Sequence, residues 1–160
     1  MSDPAAPGAR LLRLWERLHR VPGGRRLFAV LLGRMVPYTG SIGARVAELE
    51  PGRCVALLRD RRRVRNHLGS VHAVALVNVG ELVTGLAVVT SLRPGMRGIV
   101  TGLSAEYVKK ARGPLTATAD VRALALGAAT DARTVAVTAE IHDTGGDVVA
   151  RVTARWRIGP

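Results

Sequence analysis

One stretch of the chain gathers polar and ionisable side chains within apolar surroundings. It reads Arg65-Asn66-His67-Leu68-Gly69-Ser70-Val71-His72-Ala73, and Glu81 follows nine residues after His72. Glu81 is the sole acid between Asp60 and Glu106 and stands inside a largely apolar run, residues 71–92. Burying an unpaired charge is costly, so a carboxylate in such a run needs either a partner or a task. The task open to it is to activate water or to attack a carbonyl carbon directly. Taken singly, each residue also has a structural reading. Asn66 suits a helix N-cap or a turn, His72 a satisfied buried histidine, Glu81 an ion pair with an arginine in an interface, and His67 an exposed or structural position. Their combination at this spacing is what points to a site.

The rest of the chain must position these groups. Residues 1–8 are polar and proline-broken, which predicts a disordered tail and no secretory leader. Leu11, Leu14, Trp15 and Leu18 recur at helical spacing before Pro22-Gly23-Gly24, and a second helix is expected over about 25–35, ending before Pro37. These two short basic helices, residues 9–36, are read as packing on the domain; the alternative is a membrane-surface anchor with Trp15 and Phe28 among lipids. Alternation over 42–49, then Pro51-Gly52 and an apolar run at 54–58, predicts a two-stranded hairpin. Residues 71–92 read as one long buried helix rather than a membrane span, because an intramembrane Glu is expensive and alternating segments follow. Those segments, at about 98–110, 115–125, 134–142 and 148–158, read as strands, the last two joined by the turn Asp143-Thr144-Gly145-Gly146. The expected class is α+β, a long central helix wrapped by an antiparallel sheet over residues 37–160, with two short N-terminal helices. One helix is most of what such a sheet can bury, so its edges and remaining apolar surface are expected to enter a dimer.

A chain of 160 residues and 17.0 kDa suits one domain, and 48% hydrophobic residues suffice for a core built from Val, Leu, Ile and Ala, since aromatics are only 3%. The single cysteine, Cys54, excludes an internal disulfide and any cysteine-cluster zinc site and reads as a small core residue in a cytoplasmic protein. No metal or redox cofactor is expected. The net charge of +12 is front-loaded, with 14 basic residues against 5 acids in residues 1–66 and 10 against 7 thereafter. Lysine occurs only at Lys109 and Lys110, a preference for arginine that reads as composition bias as much as selected phosphate binding. With few aromatics to stack bases and no helix-turn-helix or zinc-finger pattern, nucleic acid is not an expected partner.

The pattern Asn66-x-x-Gly69-x-x-His72 with an acid nine residues on resembles the active-site signature of hotdog-fold acyl-CoA thioesterases of the phenylacetate-degradation type. More narrowly, three blocks resemble an uncharacterised bacterial domain family of that superfamily. They are Pro37-Tyr38-Thr39-Gly40-Ser41-Ile42-Gly43, the block from Asn66 to Ala73, and Glu106-Tyr107-Val108-Lys109-Lys110-Ala111-Arg112-Gly113. The likeness covers residues 25–158 and implies a hotdog fold and an acyl-CoA substrate. Two positions depart from the superfamily pattern. Ala73-Val74 stands where Gly-Gly usually follows the histidine, and Glu81 where the acid is usually Asp. Glu offers the same carboxylate one methylene further out, and Ala73 still offers a backbone N–H, with less room for a carbonyl to approach.

The resemblance implies a mechanism. The N–H of Ala73 at a helix N-terminus would stabilise the oxyanion, Glu81 would act on the carbonyl or on water, Asn66 would orient water or the loop, and His72 would position the thioester or support the oxyanion donor. Gly69 would shape the substrate-binding loop. Glu81 lies about 13 Å along the helix from His72 and on roughly the opposite face, so the site is expected to be shared by two copies with antiparallel helices, in a homodimer or a dimer of dimers. Lys109, Lys110 and Arg112 would contact the CoA phosphates, or else form a solvated edge. The arginine run 59–65 would place positive charge at the pocket mouth, or form a solvated loop. The competing reading is a non-catalytic hotdog module that binds acyl-CoA or a protein partner.

Overall fold

The computed structural model describes residues 7–126 and 131–160. Its centre is the helix Ala73–Ser91, α4 in chain order, 19 residues long with twelve of them buried. Its length and hydropathy would suffice to cross a membrane, but here a sheet supplies the apolar surroundings. Three shorter helices precede it: α1 (Pro7–Leu18), α2 (Gly24–Met35) and α3 (Pro37–Ser41).

The strands are β1 (Arg45–Glu50), β2 (Arg53–Leu58), β3 (Arg97–Tyr107), β4 (Leu115–Asp120), β5 (Arg133–His142) and β6 (Val148–Gly159). They form one antiparallel sheet in the order β1-β2-β4-β5-β6-β3. Period-two alternation turns Ala150, Val152, Ala154, Trp156 and Ile158 of β6 inward against α4. Contact is closest at Gly80, where an added Cβ would lie 2.4 Å from the Cβ of Val152. β3 lies at one edge, and none of its residues is buried.

The far end of α4 is tied to the β1–β2 hairpin by a buried hydroxyl. Thr90 Oγ1 accepts from Gly52 N at 3.1 Å and donates to Leu86 O at 2.7 Å. Gly52 takes φ +80 in the turn, a conformation glycine adopts without strain. Thr90→Val keeps the shape but strands the buried Gly52 N–H, and is expected to cost about 1–3 kcal/mol. For a chain of this size that lowers Tm by about 2–12 °C, measurable by thermal melting.

Several boundaries depart from the sequence reading. Of the tail expected over residues 1–8, residues 1–6 lie outside the described residues, while Pro7 and Gly8 begin α1. A Cβ at Gly8 would lie 2.1 Å from Val89 O, so α1 sits directly on α4. Trp15 and Phe28 are 4% and 0% exposed and meet edge to face at 5.1 Å, which removes the lipid-anchor alternative for these two rings. Pro37, read as only ending α2, opens α3 at its first position, where a fixed φ and a missing N–H cost nothing. β1 accordingly starts at Arg45 rather than near Ile42. β4 stops at Asp120 because a 3-10 turn, Arg122–Leu124, replaces the expected strand extension to 125, and Ala125 adopts φ 45.

Candidate active site

The segment before α4 folds around Asn66. Its Oδ1 accepts from Leu68 N at 2.9 Å and from both Ser70 N and Ser70 Oγ at 3.2 Å, and its backbone N donates to Ser70 O at 2.8 Å. The turn reading therefore holds for the carbonyl half of the side chain. The Nδ2 half makes no hydrogen bond among the described residues. Gly69 takes φ +69 with open space around its Cα, so the requirement for glycine is conformational. The loop is then anchored on both sides, Val71 N donating to Ala111 O and His72 N to Val64 O, each at 2.8 Å.

His72 is exposed, contrary to the buried-histidine reading, and is the N-cap of α4. Its Nδ1 accepts from Val74 N at 3.1 Å, which leaves the ring proton on Nε2 as a donor. With Val74 N occupied, Ala73 N is the unpartnered donor of this first turn among the described residues, at the positive end of the helix dipole. Tyr107 Oη donates to Ala73 O at 3.3 Å and braces that turn from β3. His72 lines a cavity of about 350 Å³ with Tyr38, Ser41, Ile42, Arg63, Val74 and Asn78.

Glu81 opens elsewhere. It lines an apolar cleft of about 180 Å³ with Leu32, Val36, Thr39, Leu82, Leu86 and Trp156, and no residue lines both cavities. Helix α3 divides them, with Tyr38 and Ser41 on the His72 side and Thr39 on the Glu81 side. The Glu81 carboxylate is half-buried and has no hydrogen bond or ion pair among the described residues, so the arginine-pairing reading has no partner within this chain. Burial pushes its carboxyl above the ordinary value.

Two buried polar atoms, one in each cavity, belong to residues outside the candidate set. Trp156 Nε1 and Asn78 Oδ1 are buried without hydrogen-bond partners, although Asn78 Nδ2 donates to Tyr38 O at 3.4 Å. Asn78 stands on α4 between His72 and Glu81 and lines the His72 cavity rather than the Glu81 cleft. Trp156 arrives from β6, packing its ring 3.2 Å from where a Cβ on Gly85 would stand; nothing local announces that neighbour. Cys54 plays no part, since burial pushes its thiol up to about 12 and keeps it protonated.

The basic candidates separate. Lys109 is held at the β5–β6 turn by Asp143 at 2.7 Å and Asp147 at 2.6 Å, its charge already matched, so it is not brought to the site. Lys110 and Arg112 are exposed and flank Ala111, whose carbonyl receives Val71 N of the site loop. Arg65 pairs with Asp60 at 2.6 Å, and Asp60 also accepts from Gly113 N at 2.9 Å. The Arg65 guanidinium holds the Asp60 carboxyl below its ordinary range.

A long helix wrapped by a six-stranded antiparallel sheet is the hotdog fold, and comparison with solved structures agrees. A crystal structure described only as a genomics structure has 29% identity and a TM-score of 0.77, with 94% of this chain and 97% of that one covered. A Pseudomonas aeruginosa protein of unknown function, described as a probable thioesterase, has 21% identity and a TM-score of 0.70, covering 86% and 95%. A thioesterase family protein from Silicibacter pomeroyi has 19% identity and a TM-score of 0.67, covering 81% and 94%. The chain thus shares the hotdog fold of these structures. Residues 24–158 match the family described as a domain of unknown function, DUF4442, and the chain belongs to that family. A search of curated proteins finds no match.

Proposed function

We propose that the protein is an acyl-CoA thioesterase whose site is composed across a homodimer. The observation that carries this reading is the pairing of two incomplete halves in one chain. The free N–H of Ala73 and the donor edge of His72 lie at one end of α4, and an unpartnered, half-buried carboxylate lies in a separate cleft further along it. Two copies with antiparallel α4 helices would bring Glu81 of the second copy to the first copy's His72 and Ala73. The unburied edge strand β3, with Ile99, Leu103 and Tyr107 exposed, offers the surface for such pairing.

In the composed site the thioester carbonyl oxygen accepts from Ala73 N–H, and the helix dipole stabilises the negative charge that develops there. Glu81 takes a proton from water, whose oxygen attacks the carbonyl carbon, the C–S bond breaks and the CoA thiolate takes up the proton. Alternatively, Glu81 attacks that carbon itself, CoA leaves, and water then hydrolyses the acyl–Glu81 anhydride to release the acid. Asn66 Nδ2 is the donor available to orient the water, and His72 Nε2–H positions the thioester. The apolar lining of the Glu81 cleft favours an aliphatic acyl chain. Lys110 and Arg112 are retained as contacts for the CoA moiety. No metal or redox cofactor enters this scheme.

A panel of acyl-CoA thioesters, short to long chain and aryl, read by free-thiol release, tests the reading. Turnover of aliphatic thioesters is the expected result. Acyl-CoA binding without turnover would instead favour a non-catalytic module, for which the Cβ at Ala73 in place of Gly is the relevant feature.

A further inference from the structure

Five arginines converge on a cleft of about 430 Å³ next to the His72 cavity: Arg26 and Arg34 of α2, Arg45 of β1, and Arg59 and Arg61 of the loop after β2. The lining holds no carboxylate, and none of the five makes an ion pair among the described residues. Arg45 is half-buried, and burial together with Arg59, Arg26 and Arg61 lowers its proton affinity from the ordinary value. Unmatched like charges crowded at one place oppose folding unless an anion joins them.

The cleft has a built floor. Gly33 and Gly40 bring α2 and α3 together backbone to backbone; a Cβ on Gly40 would stand 2.6 Å from Gly33 Cα. Gly43, at φ +65, makes room for the Arg61 guanidinium, which would lie 2.0 Å from an added Cβ. That guanidinium donates from Nη2 to Ile42 O at 3.2 Å and Gly43 O at 3.3 Å, which fixes its place in the wall. A phosphate monoester carries at most about two charges, so five guanidiniums match a cluster of phosphates better than one.

The position suggests which cluster. Ile42 lines the His72 cavity and Gly43 the arginine cleft; along the neighbouring loop, Arg63 lines the first and Arg61 the second. An elongated ligand anchored in the cleft can thus extend to His72. We propose that this cleft binds the phosphate monoester and pyrophosphate of the nucleotide end of a CoA thioester. Its assignment to CoA rests on the thioesterase reading; its preference for clustered phosphates rests on the arginines alone.

Isothermal titration calorimetry with adenosine 3′-phosphate 5′-diphosphate, which carries the phosphates and no thioester, tests the cleft at fixed salt. The variant is Arg45→Gln/Arg59→Gln, which relieves repulsion and is expected to fold. Arg155→Gln/Arg157→Gln, two exposed arginines of β6, removes the same charge elsewhere. The cleft variant should bind about tenfold more weakly or worse, with KM for the thioester raised to match and kcat unchanged. The control variant should stay within about twofold of wild type. Wild-type affinity in the cleft variant, or an equal loss in the control, would overturn the proposal. Binding to phosphatidylglycerol vesicles without binding the nucleotide would also overturn it and assign the arginines to a lipid headgroup. Nucleotide binding that the cleft variant loses, with no thioester hydrolysed by wild type, would uphold the phosphate cleft and overturn only the thioesterase reading.

Discussion

Glu81→Gln is expected to lower thioester turnover by about 10²–10⁴-fold, the range for a positioned acid–base group, while leaving the fold intact. The amide keeps size and polarity but cannot accept a proton or attack a carbonyl. The stability of the variant separates this from general damage. Because burial raises the Glu81 carboxyl above its unfolded value, the folded state holds that proton more tightly than the unfolded state. Ionisation therefore costs stability as pH rises from the unfolded value through the raised folded one. Glu81→Gln removes that cost, so its Tm at neutral pH should equal or exceed the wild type's, and the difference should vanish in acid. The same shift sets the acid limb of the wild-type rate. Turnover needs the carboxylate and should fall as pH drops through a value above that of a free glutamate. Thiol-release kinetics between pH 4 and 8, with melts alongside, check both. A variant that loses activity together with stability would place Glu81 in the scaffold.

The largest structural effect is expected at Gly80→Val. Glycine inside a helix normally gives up roughly 1 kcal/mol relative to alanine, so a side chain there could be thought stabilising. The contact with Val152 reverses the sign, since the Cβ positions would stand 2.4 Å apart and the neighbour is the root of a side chain on a paired strand. Overpacking of this kind costs about 3 kcal/mol or more, a fall in Tm of about 6–12 °C for this chain length. The helix must move off β6, carrying Glu81 with it, so turnover should fall as well. Val152→Ala in the same chain removes both methyl groups facing Gly80 and should recover part of the loss, read as a double-mutant coupling in denaturant unfolding. Additive losses would show that the two sites do not press on one another.

Much of the scaffold was legible because its signals are local. The apolar run at 71–92, the two N-terminal periodicities, the Pro51-Gly52 turn and the Asp143–Gly146 turn are each written within a few residues, and each lies near where it was expected. Of the candidate residues, Asn66, Gly69, His72 and Ala73 gather on one loop and helix start, since they are neighbours in sequence. What was not legible is assembled across the fold. Trp156 meets Glu81 only because β6 packs on α4, and the arginine cleft joins α2 to β1 and the loop after β2. Lys109 looked available because its partners, Asp143 and Asp147, lie more than thirty residues on. Helix α3 was missed because proline marks both the end of one helix and the first residue of the next.

The central claim is that the acid and the helix start act together from different copies of the chain. Mixing separately inactive Glu81→Ala and His72→Ala proteins under subunit exchange tests it most directly. Hybrid dimers hold one intact composite site, so the mixture should regain activity approaching one quarter of wild type, given random reassortment and two independent sites per dimer. Verified hybrid dimers that remain as inactive as either parent would contradict a shared site.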